Sequence, residues 1–119
     1  MFVTDTQNVK EYVVRKQGAR GVTVKYLLHK GVGAEKLQLR LFKIAVGGLT
    51  PLERHDHEHE VYILKGTVSV RGGKKKAAVT AGNVIFIQSN EEHQFKNVGN
   101  EPVEFLCTKE TTAAINKTE

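Results

Sequence analysis

Apolar residues recur at every second position in one short stretch after another, and no stretch sustains the spacing of an amphipathic helix. Val22, Val24, Tyr26 and Leu28 alternate, and so do Leu37, Leu39 and Leu41. Phe42, Ile44 and Val46 follow in the opposite phase, which predicts either a bulge near Leu41-Phe42 or a strand buried on both faces. Further strands are expected at Val61–Leu64, Thr67–Val70, Ala77–Val79, Val84–Ile87, Gln94–Val98 and Val103–Thr108. Joints such as Lys65-Gly66, Gly72-Gly73, Ala81-Gly82-Asn83 and Gly99-Asn100-Glu101-Pro102 separate them. Many short strands at even spacing make an all-β sandwich or barrel, and 119 residues suffice for a single domain with one core.

Charge and cysteine content narrow the function classes. The net charge is +5, from 18 basic and 13 acidic residues. The basic residues are dispersed, however, and the one run, Lys74-Lys75-Lys76, reads as a solvated hairpin tip. No basic groove is combined with an aromatic stacking platform, so no nucleic-acid partner is expected. The start, Met1-Phe2-Val3-Thr4-Asp5, lacks the basic and apolar regions of a signal peptide, and runs such as Val84–Ile87 are too short to span a bilayer. With a single cysteine, Cys107, no intrachain disulfide forms. The expectation is a cytoplasmic setting without membrane attachment, with Cys107 a small buried hydrophobe on a strand.

Four of the five histidines fall in two places. His55, His57 and His59 lie in Glu53-Arg54-His55-Asp56-His57-Glu58-His59-Glu60-Val61-Tyr62, and His93 opens His93-Gln94-Phe95-Lys96-Asn97. On one straight strand His55 and His59 would stand about 13 Å apart, too far for bonds of about 2.1 Å to one ion. A turn is therefore required. A three-residue loop, Asp56-His57-Glu58, sets His55 opposite His59, Arg54 opposite Glu60 and Leu52 opposite Tyr62. Glu53, His55 and His59 then face inward among aliphatic residues, where two imidazoles and a carboxylate need a partner such as a metal. In this register His57 sits at the solvated loop tip. A rival register uses His55 and His57 as the same-face pair and leaves His59 or Glu60 as the third ligand.

Taken together the two stretches resemble the paired motifs of the cupin superfamily. Gly82, His93 and Asn97 match the second motif in spacing, with Gln88 in place of its proline and Asn90 in place of its second glycine. Asn tolerates the left-handed backbone that glycine often serves, so the turn can survive. In the first motif Gly66 matches the final glycine, His59 falls where a glutamate ligand is usual, His55 matches the second histidine, and Glu53 replaces the first. The resemblance implies an all-β jelly-roll barrel over residues 36–108 with a metal inside. It leaves residues 1–35 as N-terminal strands that could pair across a homodimer, and 109–119 as a mobile polar tail.

The implied centre holds one divalent transition metal (Mn, Fe, Ni, Cu, Co or Zn) on His55, His59 and His93, with Glu53 or alternatively His57 completing the shell. Such a centre suits an enzyme of oxygenase or isomerase type acting on a small molecule, with Glu53 as the group that shuttles a proton. The competing reading is a non-catalytic sensor that binds a metal or metabolite.

Overall fold

The computed structural model describes residues 1–110. Nine strands follow in chain order: β1 (Glu11–Val13), β2 (Arg20–Leu28), β3 (Leu37–Leu49), β4 (His59–Lys65), β5 (Thr67–Gly72), β6 (Lys75–Thr80), β7 (Val84–Ile87), β8 (His93–Asn97) and β9 (Val103–Glu110). All pairings are antiparallel and run β6-β5-β8-β3-β9-β4-β7, with β2 also on β3 and β1 on β2. The sheet curls around one core, as an alternating, glycine-punctuated chain should. No helix among the described residues is long and apolar enough to cross a membrane.

The core is built from one face of each strand. Val22, Val24 and Tyr26 of β2, Val61 and Ile63 of β4, Val68 and Val70 of β5, and Val103, Phe105 and Cys107 of β9 are buried. Phe105 stacks between Phe42 at 5.3 Å and Phe95 at 4.8 Å, centroid to centroid. Gly66 and Asn90 are among the turn positions with positive-φ backbone. Gly66 has φ +88°, and a Cβ there would meet the Pro102 carbonyl at 2.8 Å, so the β4–β5 joint requires glycine. Asn90, with φ 64°, is the positive-φ non-glycine residue of the described chain and turns the backbone before β8.

Several expectations are corrected. β3 keeps one unbroken register with β9 from Leu37 to Ile44, so there is no bulge at Leu41-Phe42 in that pairing. Gln38, Arg40 and Ile44 are buried and Phe42 half-buried, whereas Leu37, Leu39 and Leu41 occupy the outer face. The alternation misleads because polar side chains take interior positions and leucines take outer ones. The irregular register lies instead between β2 and β3. β1 pairs with β2 of its own chain. Lys109 and Glu110 end β9 instead of starting a tail, and the remainder of that tail, 111–119, lies outside the described residues.

Candidate metal centre

The approach to the site is an extended segment that never becomes a hairpin. From Pro51 to Ile63 odd-numbered residues are buried or half-buried and even-numbered ones exposed, a single period-2 pattern. His55 does not pair with His59. Glu53 pairs instead with His93, its N–H donating to the His93 carbonyl at 3.0 Å and its carbonyl accepting the His93 N–H at 2.8 Å. His59 begins β4 opposite Ile87, Glu60 lies opposite Phe86 and Thr108, and Tyr62 lies opposite Val84 and Leu106. The proposed pairs Arg54–Glu60 and Leu52–Tyr62 are therefore absent. A bend at Asp56-His57 shortens the path instead, and the Ser89 hydroxyl secures it by donating to the Asp56 carbonyl at 2.7 Å.

This path brings together His55, His59 and His93. One ring nitrogen of each lies within 4.8 Å of those of the other two, and ring centroids are 5.5, 5.3 and 5.2 Å apart for the 55–59, 55–93 and 59–93 pairs. Nitrogens around an ion at about 2.1 Å stand roughly 3.4 Å apart in tetrahedral geometry. Side-chain adjustment of about an ångström thus closes the set.

Glu53 is turned elsewhere. Its Oε2 accepts from Lys16 Nζ at 3.1 Å and stands 3.9 Å from His55 Nε2. His57 is not at a solvated tip: it follows the inward phase, stacks on His55 at 4.8 Å and meets the edge of His59 at 4.8 Å. Its Nδ1 lies 3.6 Å from Asp56 and its Nε2 is buried without a hydrogen-bond partner. Neither belongs to the three-nitrogen group.

The donor set fits a divalent cation on two independent grounds. The first is orientation: His93 Nδ1 lies 2.8 Å from the Glu91 carbonyl, which can only accept, so that nitrogen carries the proton and Nε2 presents its lone pair. The second is an orphan. His59 Nε2 is buried and has no hydrogen-bond partner, a state costing about 1–3 kcal/mol that a bound ion relieves.

Burial keeps the His55 and His59 rings neutral. Burial holds His59 far below the ordinary imidazole value, at about 2, with the Arg40 charge adding to the effect. His55 falls to about 4, burial outweighing the opposing pull of the Glu53 carboxylate. His57 is lowered as well, by burial first and then by the charges of Lys109 and Arg40. Neutral imidazoles have lone pairs to give, as metal ligands require.

The cluster opens on a cavity of about 80 Å³ lined by Phe95, Phe105 and Val61 on its apolar side. Its charged lining is Lys16, Arg40 and Lys109 against the single carboxylate Glu53. Arg40 is only 4% exposed and reaches the cluster from β3, its Nη2 donating to Cys107 Sγ at 3.2 Å and lying 3.4 Å from His59 Nδ1. Sequence reasoning passed over Lys16 and Arg40. For Arg40 the signal lay in the parity of Gln38, Arg40, Phe42 and Ile44, which puts the arginine inside. His29, the histidine outside the cluster, accepts the Gly31 N–H at 3.0 Å and caps a short turn.

Comparison with known proteins agrees with this architecture. The cupin domain family matches over residues 40–109. An oxalate-binding protein of Thermotoga maritima is 32% identical over 110 residues, covering 90% of this chain and 91% of that one. A 1-methylthio-D-xylulose 5-phosphate methylsulfurylase of Rhodospirillum rubrum is 39% identical over 70 residues, or 59% of this chain; the match spans 45% of the relative's length. Among solved structures, the polyketide cyclase RemF of Streptomyces resistomycificus superposes with a TM-score of 0.87 at 26% identity, covering 99% of this chain and 89% of that one. The barrel, the paired histidine segments and the matched family together place this chain in the cupin domain family.

Proposed function

We propose that this cupin is a metal-dependent enzyme acting on a small organic acid, with the ion held by His55, His59 and His93. The buried, unpartnered Nε2 of His59 beside two other imidazole nitrogens carries the reading. A bound divalent transition metal (Mn, Fe, Ni, Cu, Co or Zn) supplies Lewis-acid or redox chemistry of the isomerase or oxygenase type. Around it the protein supplies the rest. Lys16, Arg40 and Lys109 outnumber Glu53 in the lining, which favours an anionic ligand. Phe95 and Phe105 exclude water from one side. Glu53, oriented by Lys16 and close to His55, can accept and return a proton without being a ligand. The relative from Thermotoga maritima is named for oxalate, a small dianion, which supports the same ligand class.

Titration calorimetry with oxalate as the probe tests this. Metal-reconstituted protein is expected to bind oxalate, metal-free protein to bind it far more weakly, and a neutral diol of equal size not to bind. Equal binding with and without metal would contradict the reading. The narrowness of the cavity favours one second reading, a non-catalytic binding module. Tight binding with no conversion of any small acid under oxygen would select it.

The working unit we propose is a homodimer joined through the outer sheet face. The register lines up Leu41, Leu106, Tyr62 and Val84 as one apolar row across β3, β9, β4 and β7. Leu64 and Phe86 extend it, at 45% and 55% exposure. Lys43, Glu104 and Lys65 form the adjoining row, so a second copy turned by a two-fold axis meets apolar on apolar and acid on base. Four strands at about 4.8 Å spacing supply the apolar centre of an interface of about 800 Å² per partner.

A further inference from the structure

The sulfur of Cys107 occupies a place where metal-binding histidines usually meet a carboxylate or a carbonyl. We propose that Cys107 is the positioning residue that keeps His59 in its metal-binding tautomer, a proposal that rests on the metal reading of the histidine triad. If His59 gives the Nε2 lone pair to an ion, Nδ1 must carry the proton and needs an acceptor. Among the described residues two groups lie within reach of Nδ1: Arg40 Nη2 at 3.4 Å and Cys107 Sγ at 3.5 Å. A guanidinium only donates, so it cannot serve. The acceptor is the sulfur.

Its surroundings suit the role. Cys107 is 5% exposed on β9, and its S–H can donate to the Thr108 carbonyl at 3.8 Å, which leaves the sulfur lone pairs free to accept. Arg40 Nη2 donates to the same sulfur at 3.2 Å and stands 3.4 Å from Nδ1, so the sulfur competes with Nδ1 for that donor. Remove the sulfur and Arg40 remains as the neighbour of Nδ1. A donor facing Nδ1 favours the opposite tautomer, with the proton on Nε2 where an ion would bind. His59 is itself 6% exposed with Nε2 unpartnered, so the consequence falls on the site and not on solvent-facing atoms.

The test compares wild type with Cys107→Ala, which lacks the acceptor, and Cys107→Ser, which keeps one. Zinc affinity is measured by chelator competition, and the His59 tautomer by two-bond proton–nitrogen correlation in metal-free protein. Cys107→Ala is expected to bind zinc about 10–100-fold more weakly, with His59 shifted towards the Nε2–H form. Cys107→Ser should restore affinity close to wild type and the Nδ1–H form. Wild-type zinc binding with unchanged affinity in a folded Cys107→Ala would overturn this proposal alone. Absence of zinc binding by wild type would overturn the metal reading and this proposal with it. Should Cys107→Ala fail to fold, the wild-type tautomer decides, since Nε2–H in metal-free His59 contradicts the assignment.

Discussion

His59 and His55 are neutral because they are buried, and this gives the metal-free protein a definite dependence on pH. Both have folded-state pKa values below the ordinary 6.5, His59 at about 2 and His55 at about 4. Below pH 6.5 the unfolded chain takes up protons that the folded chain refuses, so stability falls as pH falls. The contribution is complete above the unfolded value and is lost progressively down to about 4 for His55 and about 2 for His59. Urea denaturation of metal-free protein should therefore show a lower midpoint at pH 5 than at pH 7.5. A midpoint that rises over that interval would mean the rings are charged in the folded state. The convergence of His55, His59 and His93 was legible because His55 and His59 were placed on one inward face and His93 began a strand, whereas the inward phase of His57 was missed. The pairing of Glu53 with Lys16 was not legible, because Lys16 lies 37 positions away and only the closed barrel brings it near.

At the scale of elements, the β8 strand connects the two histidine segments. Pairing Glu53 with His93 fixes the first segment against the second, and Asn97 at the other end of β8 anchors that strand to its surroundings. The buried Asn97 amide donates to the Ile44 carbonyl at 3.0 Å and to the Glu101 carbonyl at 2.8 Å, and its oxygen accepts the Gly99 N–H at 3.0 Å. Asn97 thus acts through the backbone and touches no ligand nitrogen. Asn97→Ala strands the buried Ile44 carbonyl and removes two half-buried backbone contacts, and should cost about 1–3 kcal/mol. Thermal or urea unfolding measures this, and a loss under about 0.5 kcal/mol, the usual bound for surface substitutions, would contradict the role. The strand positions were readable from alternation and from glycine-bearing joints, although most strands extend a residue or two beyond their apolar stretch. The pairing was not readable. A hairpin is the cheapest way to bring His55 to His59 in one dimension, but the barrel brings His93 alongside and a bend does the remaining work.

For the molecule as a whole, the outer face of β3, β9, β4 and β7 is the largest departure from an apolar-in, polar-out pattern. Leucines at 37, 39 and 41 read as core from the sequence because nothing in a single strand says which face closes on the barrel. Placed outside, they join Tyr62, Val84 and Phe86 in a surface that water covers poorly. Light scattering behind size exclusion should give twice the 13.2 kDa chain mass. The double substitution Val84→Lys with Phe86→Glu should shift the protein to monomer without unfolding it. A wild type that stays monomeric at high concentration would remove the dimer from the account. The functional reading depends on one claim, that the three histidines hold an ion. Elemental analysis by plasma mass spectrometry, on untagged protein as purified and after reconstitution, tests it beside a folded His93→Ala variant. Close to one transition-metal ion per chain is expected in the wild type and little in the variant. Equal metal in both, or none in either after reconstitution, would mean that the cluster is a set of packed neutral histidines and not a metal centre.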